Sequence, residues 1–338
     1  MRNETVDALR GAAALAVCFF HFTSGQSYFA EVSYLRPAGA FGWIGVEVFF
    51  VISGFIVPYA MKQANYTLSL WPRFMAKRLI RLEPPYLVSI VLVMALGLAS
   101  SVAPGFRGPP IDWSVPLIAA HLGYINAFVG MPWINPVYWS LAIEFQYYVL
   151  VGLALPAFCA GSPATRIGLV AAVAVLPLLM PGVGRWCIVP YLPIFAAGIL
   201  TFLAARDLIP RLTYWASLVA LGAYLGVTQG LAVSAATVVS AALIATVRLP
   251  HVGPVAWLGA ISYSIYLLHV PIGGRVMNLA SRLPATPAIE IAAVAMAFGA
   301  SILAAYALYV LVERPARDLA ASISYRTSTV ITLRLRHT

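Results

Sequence analysis

The stretch GWIGVEVFFVISGFIVPY, at residues 42–59, decides the class of this protein. Glu47 is its single charged residue, and nearly all of the other residues are apolar. An α-helix needs roughly 20 apolar residues to cross the hydrocarbon core of a bilayer, because each residue adds about 1.5 Å of length. The stretch is therefore predicted to form a membrane-spanning helix.

The composition extends this interpretation to the whole chain. Of its 338 residues, 62% are hydrophobic and 9% are charged. Soluble domains contain about 25% charged residues, so a soluble globular protein is not expected. The predicted fold class is all-α, a polytopic membrane protein with about ten transmembrane helices. The spans are placed at residues 8–24, 43–61, 84–102, 137–158, 166–182, 188–205, 212–228, 231–248, 254–274 and 288–312.

The basic residues indicate the orientation of the spans. The net charge is +10, but Lys and Arg are scattered between apolar runs, so no nucleic acid partner is expected. Most of the 21 Lys and Arg fall on one side if the N-terminus is cytoplasmic and residues 115–130 do not cross. This arrangement predicts two cytoplasmic termini. Residues 115–130 are then expected to be re-entrant or interfacial.

The chain is interpreted as one domain with a tail. Residues 1–320 form the predicted transmembrane domain, and residues 321–338 form a basic cytoplasmic tail that its arginines hold against anionic lipid. Cys18, Cys159 and Cys187 show neither a disulfide framework nor zinc-ligand spacing. They are interpreted as small buried hydrophobes, and no metal site is expected.

Ionisable side chains inside predicted spans are costly, so they indicate function. Arg10 and His21 lie about three helical turns apart, on one face of the first span. A neutral histidine near the middle of the membrane has the form that a general base requires. On spacing alone, a core histidine that is hydrogen-bonded to a neighbouring helix is an equally good interpretation.

The charged residues of the second and third spans each have more than one interpretation. Glu47, inside the second span, orients a histidine, binds a sugar hydroxyl or reaches the outer surface. Lys77, Arg78 and Arg81 cluster on the cytoplasmic side of the third span, and Arg78 and Arg81 share a helix face. Two guanidiniums at that spacing suit a polyphosphate. A basic collar on anionic lipid is the commoner reason for arginines at such a position.

Two later spans contain polar clusters. In WSLAIE, at residues 139–144, Ser140 and Glu144 are four residues apart near the outer end of the fourth span, so Glu144 is expected to face an aqueous cavity. Trp139 fits either that cavity or an interfacial aromatic belt. In SYSIYLLH, at residues 262–269, Tyr266 and His269 share a helix face. A hydrogen-bonded core histidine is the alternative for His269.

Taken in order, these segments resemble the acyltransferase-3 family of integral-membrane O-acyltransferases. The resemblance rests on DALRG followed by His21, GVEVFFVISGF, Arg78-x-x-Arg81 with PPY, WSLAIE, SYSIYLLH and the closing ERP at residues 313–315. Each motif alone is weak, but the six occur in the family's order along nearly the whole chain. The resemblance also implies ten core spans and a cytoplasmic N-terminus.

The resemblance implies transfer of an acyl group, usually acetyl, from cytoplasmic acyl-CoA to a hydroxyl of an exported glycan or glycolipid. It implies acetyl-CoA as donor substrate without a permanently bound cofactor, and a location in a bacterial inner membrane. In the family, the position of His21 is the proposed catalytic one, and the Arg78/Arg81 pair is proposed to hold CoA phosphates. The partners expected are membrane lipids, acyl-CoA and the carbohydrate acceptor.

These expectations give a hypothesis for the site. Arg10 and Glu144 assist His21 in catalysis, and Lys77 joins the arginine pair at the donor. The residues expected around the acceptor, in an outward cavity that Glu144 also lines, are Glu47, Trp139, Ser140, Tyr266 and His269. A succinyl or longer acyl donor is compatible with the same pattern. A transporter with buried His and Glu as coupling groups is the alternative from another class, but the internal repeat that it predicts is not evident.

Overall fold

The computed structural model describes residues 3–25, 34–102 and 112–323, and the chain is helical and free of β-strands within these ranges. The fourteen α-helices in these ranges are α1 Glu4–Phe20, α2 Arg36–Gly39, α3 Gly45–Gln63, α4 Trp71–Ser101, α5 Val115–Leu122, α6 Tyr138–Cys159, α7 Pro163–Leu179, α8 Leu192–Ala205, α9 Arg211–Thr228, α10 Leu231–Thr246, α11 Gly253–Leu268, α12 Gly274–Ala280, α13 Pro287–Leu308 and α14 Arg314–Ser322. Single π-helical turns follow α1, α11 and α13, at His21–Gly25, His269–Gly273 and Tyr309–Glu313.

A helix lies at the position of every predicted span. Within the described residues, six helical segments are long and apolar enough to cross a membrane, and α7, α8 and α10 are shorter apolar helices. The six segments are Glu4–Ser24, Arg36–Gln63, Leu68–Ser101, Tyr138–Cys159, Gly253–Ala280 and Pro287–Ser322. The prediction of a polytopic all-α protein is therefore confirmed at the level of the fold class.

Residues 115–130 form a short helix followed by turns. Because α5 has 8 residues, it spans roughly 12 Å, which is well short of a bilayer core. His121 is buried here, and its Nε2 accepts a hydrogen bond from the backbone amide of Ile134. Its Nδ1 therefore donates to the carbonyl oxygen of Leu117 at 2.8 Å. Burial lowers the pKa of His121, which favours this neutral, structural role.

The helix that contains the third span extends well before the span itself. The span was predicted to start at residue 84, and α4 begins at Trp71 and continues through Pro84 and Pro85. The Tyr263 hydroxyl of α11 donates to the carbonyl of Leu82 on this part of α4 at 3.0 Å. As a result, the basic cluster stands on a regular helix.

Close helix packing fixes the centre of the bundle. The most extensive contacts are those of α3 with α8 and of α1 with α11. A Cβ on Gly54 of α3 would overlap with the backbone carbonyl of Phe195, and one on Gly259 of α11 would overlap with the carbonyl of Asp7. Small residues permit this approach, as is usual between membrane helices. The α1/α11 contact carries the N-terminal motif against the SYSIYLLH motif.

The predicted tail lies almost entirely beyond the described residues. Residues 321–322 complete α14, and residue 323 follows it. The remaining residues of that prediction, 324–338, are outside the described ranges.

Candidate active site

Two π-helical turns bring two histidines together. His21 opens the turn that follows α1, and His269 opens the turn that follows α11. Single π-turns often occur at functional sites, because they change the direction in which side chains leave the helix. The two imidazole rings have their centroids 5.1 Å apart. The packing of α1 on α11 therefore builds a histidine pair from the two ends of the sequence.

His269 lies behind His21 rather than in a cavity. It is fully buried, and its Nδ1 lies 2.8 Å from the carbonyl oxygen of Tyr266 and 3.2 Å from that of Ile265. Carbonyl oxygens only accept hydrogen bonds, so Nδ1 carries the proton and Nε2 is an acceptor. Within the described residues, His269 Nε2 and His21 Nδ1 are both buried without a hydrogen-bond partner.

His21 borders a cavity of about 900 Å³, which we call the wide cavity. Its walls include His21, Trp43, Glu47, Trp139, Arg185 and Tyr266. Four of these were predicted site residues, which the structure therefore brings together. Around it, α1, α7, α9 and α11 contribute residues at or near their C-terminal ends, and α3, α6 and α10 contribute residues near their N-terminal ends. Pro190 and Tyr191, which come directly before α8, line it as well.

Aromatic side chains form much of the lining of the wide cavity. Trp43, Trp133, Trp186 and Tyr191 join Trp139 in its lining. Flat rings offer apolar faces on which the C–H faces of a sugar ring can stack. The sequence did not reveal the other rings, because they lie in loops and at helix ends that share no periodicity.

Glu47 is the acid of this cavity. Its side chain is 6% exposed, so it does not reach the surface as one interpretation held. Within the described part of the chain, its Oε2 is buried without a hydrogen-bond partner. The charge of Arg185, which also lines the wide cavity, acts on this carboxylate. The site thus offers an acidic and a basic group beside the aromatic rings.

A second, smaller cavity of about 170 Å³ contains the arginines, and we call it the arginine cavity. It is lined by Arg10, Arg78 and Arg81 together with Glu144 and Glu313. Three guanidiniums against two carboxylates leave an excess of positive charge around a small space. Such an arrangement is suited to an anionic ligand.

Hydrogen bonds and ring contacts hold the arginine cavity in shape. Arg10 Nε donates to the Ser262 hydroxyl at 3.2 Å. The Arg78 guanidinium lies 5.1 Å from the centre of the Tyr148 ring, and the Tyr148 hydroxyl donates to Glu144. The Ser53 hydroxyl also donates to Glu144, at 2.7 Å. The geometry links Glu144 to Arg78 through one aromatic side chain.

The position of Glu144 differs from the expected one. It was expected in an outward cavity with Glu47, but it lines the arginine cavity instead. Glu144 lies one helical turn further along α6 than Ser140, and the hydroxyls of Ser53 and Tyr148 satisfy it there. Ser140 also lines the arginine cavity, and its hydroxyl is 2.6 Å from that of Tyr266.

Lys77 was predicted at the donor site, whereas Glu313 was not predicted as a site residue. Lys77 lies beside the C-terminal end of α14, where its Nζ donates to the carbonyl of Ile323 at 2.9 Å, and it is not among the residues that line the arginine cavity. Glu313 is the first residue of the ERP motif, for which the sequence indicated no chemical role. It ends the third π-turn, it accepts a hydrogen bond from the Ser264 hydroxyl at 2.6 Å, and it faces the arginines.

The wide cavity and the arginine cavity share a wall. Val46 and Tyr266 line both of them. The space beside His21 and the space beside the arginines are therefore neighbours within the bundle.

Among the described residues, no cluster of His, Cys, Asp and Glu has the arrangement of a metal site. The three cysteines are free thiols; Cys18 and Cys187 are buried as expected, whereas Cys159 is only half-buried.

Comparison with known proteins decides the family. The model of the acyltransferase domain of acyltransferase-3 proteins matches residues 3–310. The chain belongs to the acyltransferase-3 family. With its apolar helices, it is therefore an integral, multi-pass membrane enzyme that transfers acyl groups. The transporter alternative receives no support from this match.

Three relatives are similar in sequence. BcsY of Komagataeibacter xylinus, named as a membrane-bound transacylase, is 27% identical across 94% of this chain and 83% of BcsY. The acyltransferase MdmB of Streptomyces mycarofaciens is 29% identical across 44% of this chain and 38% of MdmB. The peptidoglycan O-acetyltransferase OatA of Listeria monocytogenes is 29% identical across 43% of this chain and 23% of OatA. No solved structure matches significantly.

Proposed function

We propose that the enzyme moves an acetyl or other short acyl group from cytoplasmic acyl-CoA to a hydroxyl of an exported or lipid-linked carbohydrate. The observation that carries this proposal is that the two cavities are adjacent. A cationic space for an anionic donor and an aromatic space for a sugar meet at Val46 and Tyr266, with His21 lining the aromatic one. The name of OatA, a peptidoglycan O-acetyltransferase, supports acetyl transfer to a carbohydrate.

The proposed topology has ten spans with both termini in the cytoplasm of a bacterial cell. The alternation of helix ends around the wide cavity supports it, because α6 begins there, α7 ends there, α8 begins there and α9 ends there. Each of these helices then runs from one face of the membrane to the other. The distribution of Lys and Arg supports a position of the wide cavity on the outer face.

The donor would bind from the cytoplasmic face. Arg78, Arg81 and Arg10 are proposed to bind its phosphates and thioester end, with Lys77 near the mouth and Glu144 positioning Arg78. The arginine cavity, of about 170 Å³, is too small for the whole of CoA. The phosphates would therefore bind the arginines from the cytoplasmic side, and the pantetheine arm would carry the acyl group on towards His21.

The acceptor would bind in the wide cavity. The aromatic rings would stack on the sugar, and Glu47 and Arg185 would orient its hydroxyl groups. Glu47 has a buried oxygen available for a hydroxyl donor, and a hydrogen bond to it would remove the cost of that unpaired group.

His21 is proposed as the general base. Its neutral imidazole takes the proton of the acceptor hydroxyl, whose oxygen attacks the thioester carbonyl carbon. The carbon–sulfur bond then breaks, and the thiolate of CoA takes the proton from the imidazolium. Arg10, which lines the arginine cavity about three helical turns from His21, would support negative charge on the donor. An acyl-histidine, formed and consumed in two such steps, is the alternative route through the same residue.

The proposal is tested by acyl transfer in purified protein. Protein in nanodiscs is given labelled acetyl-CoA with membrane lipids and surface glycans, and the mass of the product identifies the acyl group. We expect His21→Gln to lower kcat by about 10²–10⁴-fold, as for the loss of a general base. His251→Gln is the control, because His251 is an exposed histidine paired with Glu4. Undiminished transfer by His21→Gln would overturn the assignment.

A further inference from the structure

A third cavity, of about 280 Å³, lies between α7 and α9. We call it the lateral groove, and its lining includes Val170, Ala171, Ala174, Leu200, Ala220 and Tyr224. Both α7 and α9 pack against α8, which supplies Leu200 at the base of the groove. The lining is almost wholly apolar, so the lateral groove suits a hydrocarbon chain.

The groove is open to the surroundings of the bundle. Ala171 and Ala220, one on each wall, are exposed. Small side chains on both helices leave the space between them unfilled. In a membrane, a hydrocarbon chain can therefore enter it sideways from the bilayer.

The lateral groove continues into the wide cavity. Tyr224 lines both spaces. Further along the same two helices, Leu178 at the end of α7 and Thr228 at the end of α9 line the wide cavity. One gap between two helices thus runs from an apolar groove to the chamber that contains His21.

We propose that the lateral groove holds the hydrocarbon chain of a membrane-anchored acceptor, whose sugar headgroup then lies in the wide cavity. This inference rests on the proposed function and names the acceptor class as a lipid-linked saccharide. An ordinary phospholipid would fit the groove as well, but the groove leads to aromatic rings, Glu47 and a histidine. Those groups match a carbohydrate headgroup.

The hydrocarbon chain of the acceptor gains little free energy by leaving the bilayer for the groove, because both surroundings are apolar. The lateral groove instead holds the headgroup at the site, which raises the effective concentration of the hydroxyl near His21. The groove should therefore act on KM for the acceptor. The step at His21 and the binding of the donor should be unaffected.

Two double variants with matched positions test the proposal. Ala171→Trp with Ala220→Trp fills the groove. Ala172→Trp with Ala223→Trp adds the same bulk at exposed positions of the same helices that do not line it. All proteins are placed in nanodiscs with a diazirine-bearing dodecyl glucoside, irradiated, and mapped by mass spectrometry. This readout does not require acyl transfer.

We expect the label on α7 and α9, strongly reduced in the groove-filling variant and unchanged in the control variant. With dodecyl glucoside as acceptor, groove filling should raise KM about tenfold, the equivalent of roughly 1.4 kcal/mol. With methyl glucoside, KM should not change. The proposal would be overturned if the label were spread evenly around the bundle. It would also be overturned if added phospholipid displaced the label as well as unlabelled dodecyl glucoside does. Absence of transfer to either glucoside with labelling of the groove intact would count against the proposed function instead.

Discussion

At the scale of single residues, the histidine pair makes a specific prediction about His269. It is fully buried behind His21, so it can act on the reaction only through that residue. Its Nδ1–H is fixed by two carbonyls, which leaves Nε2 to accept from His21 Nδ1–H after a small rotation. That bond would keep His21 in the tautomer whose Nε2 is the base. His269 is therefore a positioning residue.

We expect His269→Phe to lower kcat by roughly tenfold or more, with KM for acetyl-CoA unchanged. His269→Gln, whose side chain can also accept a hydrogen bond, should restore part of the loss. The chain has five histidines, so ¹⁵N-histidine spectra report the tautomer of His21 directly. An unchanged His21 spectrum in His269→Phe would show that His269 only fills space.

The arginine pair gives the second prediction at this scale. We expect Arg78→Ala with Arg81→Ala to weaken CoA binding by more than about tenfold, because each charge-assisted hydrogen bond contributes roughly 1.5–3 kcal/mol. Arg73→Ala is the matched control, since Arg73 is exposed on the same helix and does not line the arginine cavity. Binding is measured by calorimetry in detergent, with thermal unfolding as the check on folding. Equal affinities in the double variant and the control would contradict the donor assignment.

The ionisable residues that line the two cavities have a physical signature in the sequence. Charges inside apolar runs identified Arg10, Glu47 and the arginine pair, because the bilayer excludes such groups unless they have a partner or a cavity. Glu144 was identified for the same reason but assigned to the wrong cavity. Of its two partners, Tyr148 lies one turn further along the same helix, whereas Ser53 comes from α3 through helix packing that sequence spacing does not contain.

At the scale of helices, the positions of the apolar helices could be predicted from the sequence, but the π-turns at their ends could not. Apolar runs mark spans because the bilayer acts as the solvent. The π-turns that place His21, His269 and Glu313 leave no comparable mark in the sequence. The apolar run marks the membrane span of α4 but not the whole helix, which begins 13 residues earlier, at Trp71, and continues through Pro84 and Pro85.

The contact of α1 with α11 is the helix pair on which the histidine pair depends. A Cβ at Gly259 would overlap with the carbonyl oxygen of Asp7, so Gly259→Ala must push the two helices apart. We expect the free energy of unfolding to fall by about 1–3 kcal/mol, with a loss of transfer activity. Gly299→Ala is the control, because nothing lies near its Cβ position in α13. The measurement is thermal unfolding in detergent, and equal stability of the two variants would contradict this account of the packing.

At the scale of the whole molecule, two cavities that meet inside one bundle explain how a charged donor and a carbohydrate acceptor react without sharing a compartment. The donor side is cationic and small, and the acceptor side is wide and aromatic. The sequence indicated both sets of groups, and Tyr266 among them, but it did not show that the two cavities are adjacent. That adjacency arises when α3, which carries Val46, and α11, which carries Tyr266, both pack against α1.

The sidedness of transfer tests this account most directly. Membrane vesicles of both orientations are prepared from cells that make the protein, and labelled acetyl-CoA, which does not cross membranes, is added outside. A Thr228→Cys variant and an impermeant maleimide report which face the wide cavity presents. We predict that everted vesicles incorporate label into saccharides of their interior and that right-side-out vesicles do not, with incorporation abolished by His21→Gln. Equal incorporation in both orientations, or incorporation that survives His21→Gln, would contradict the account.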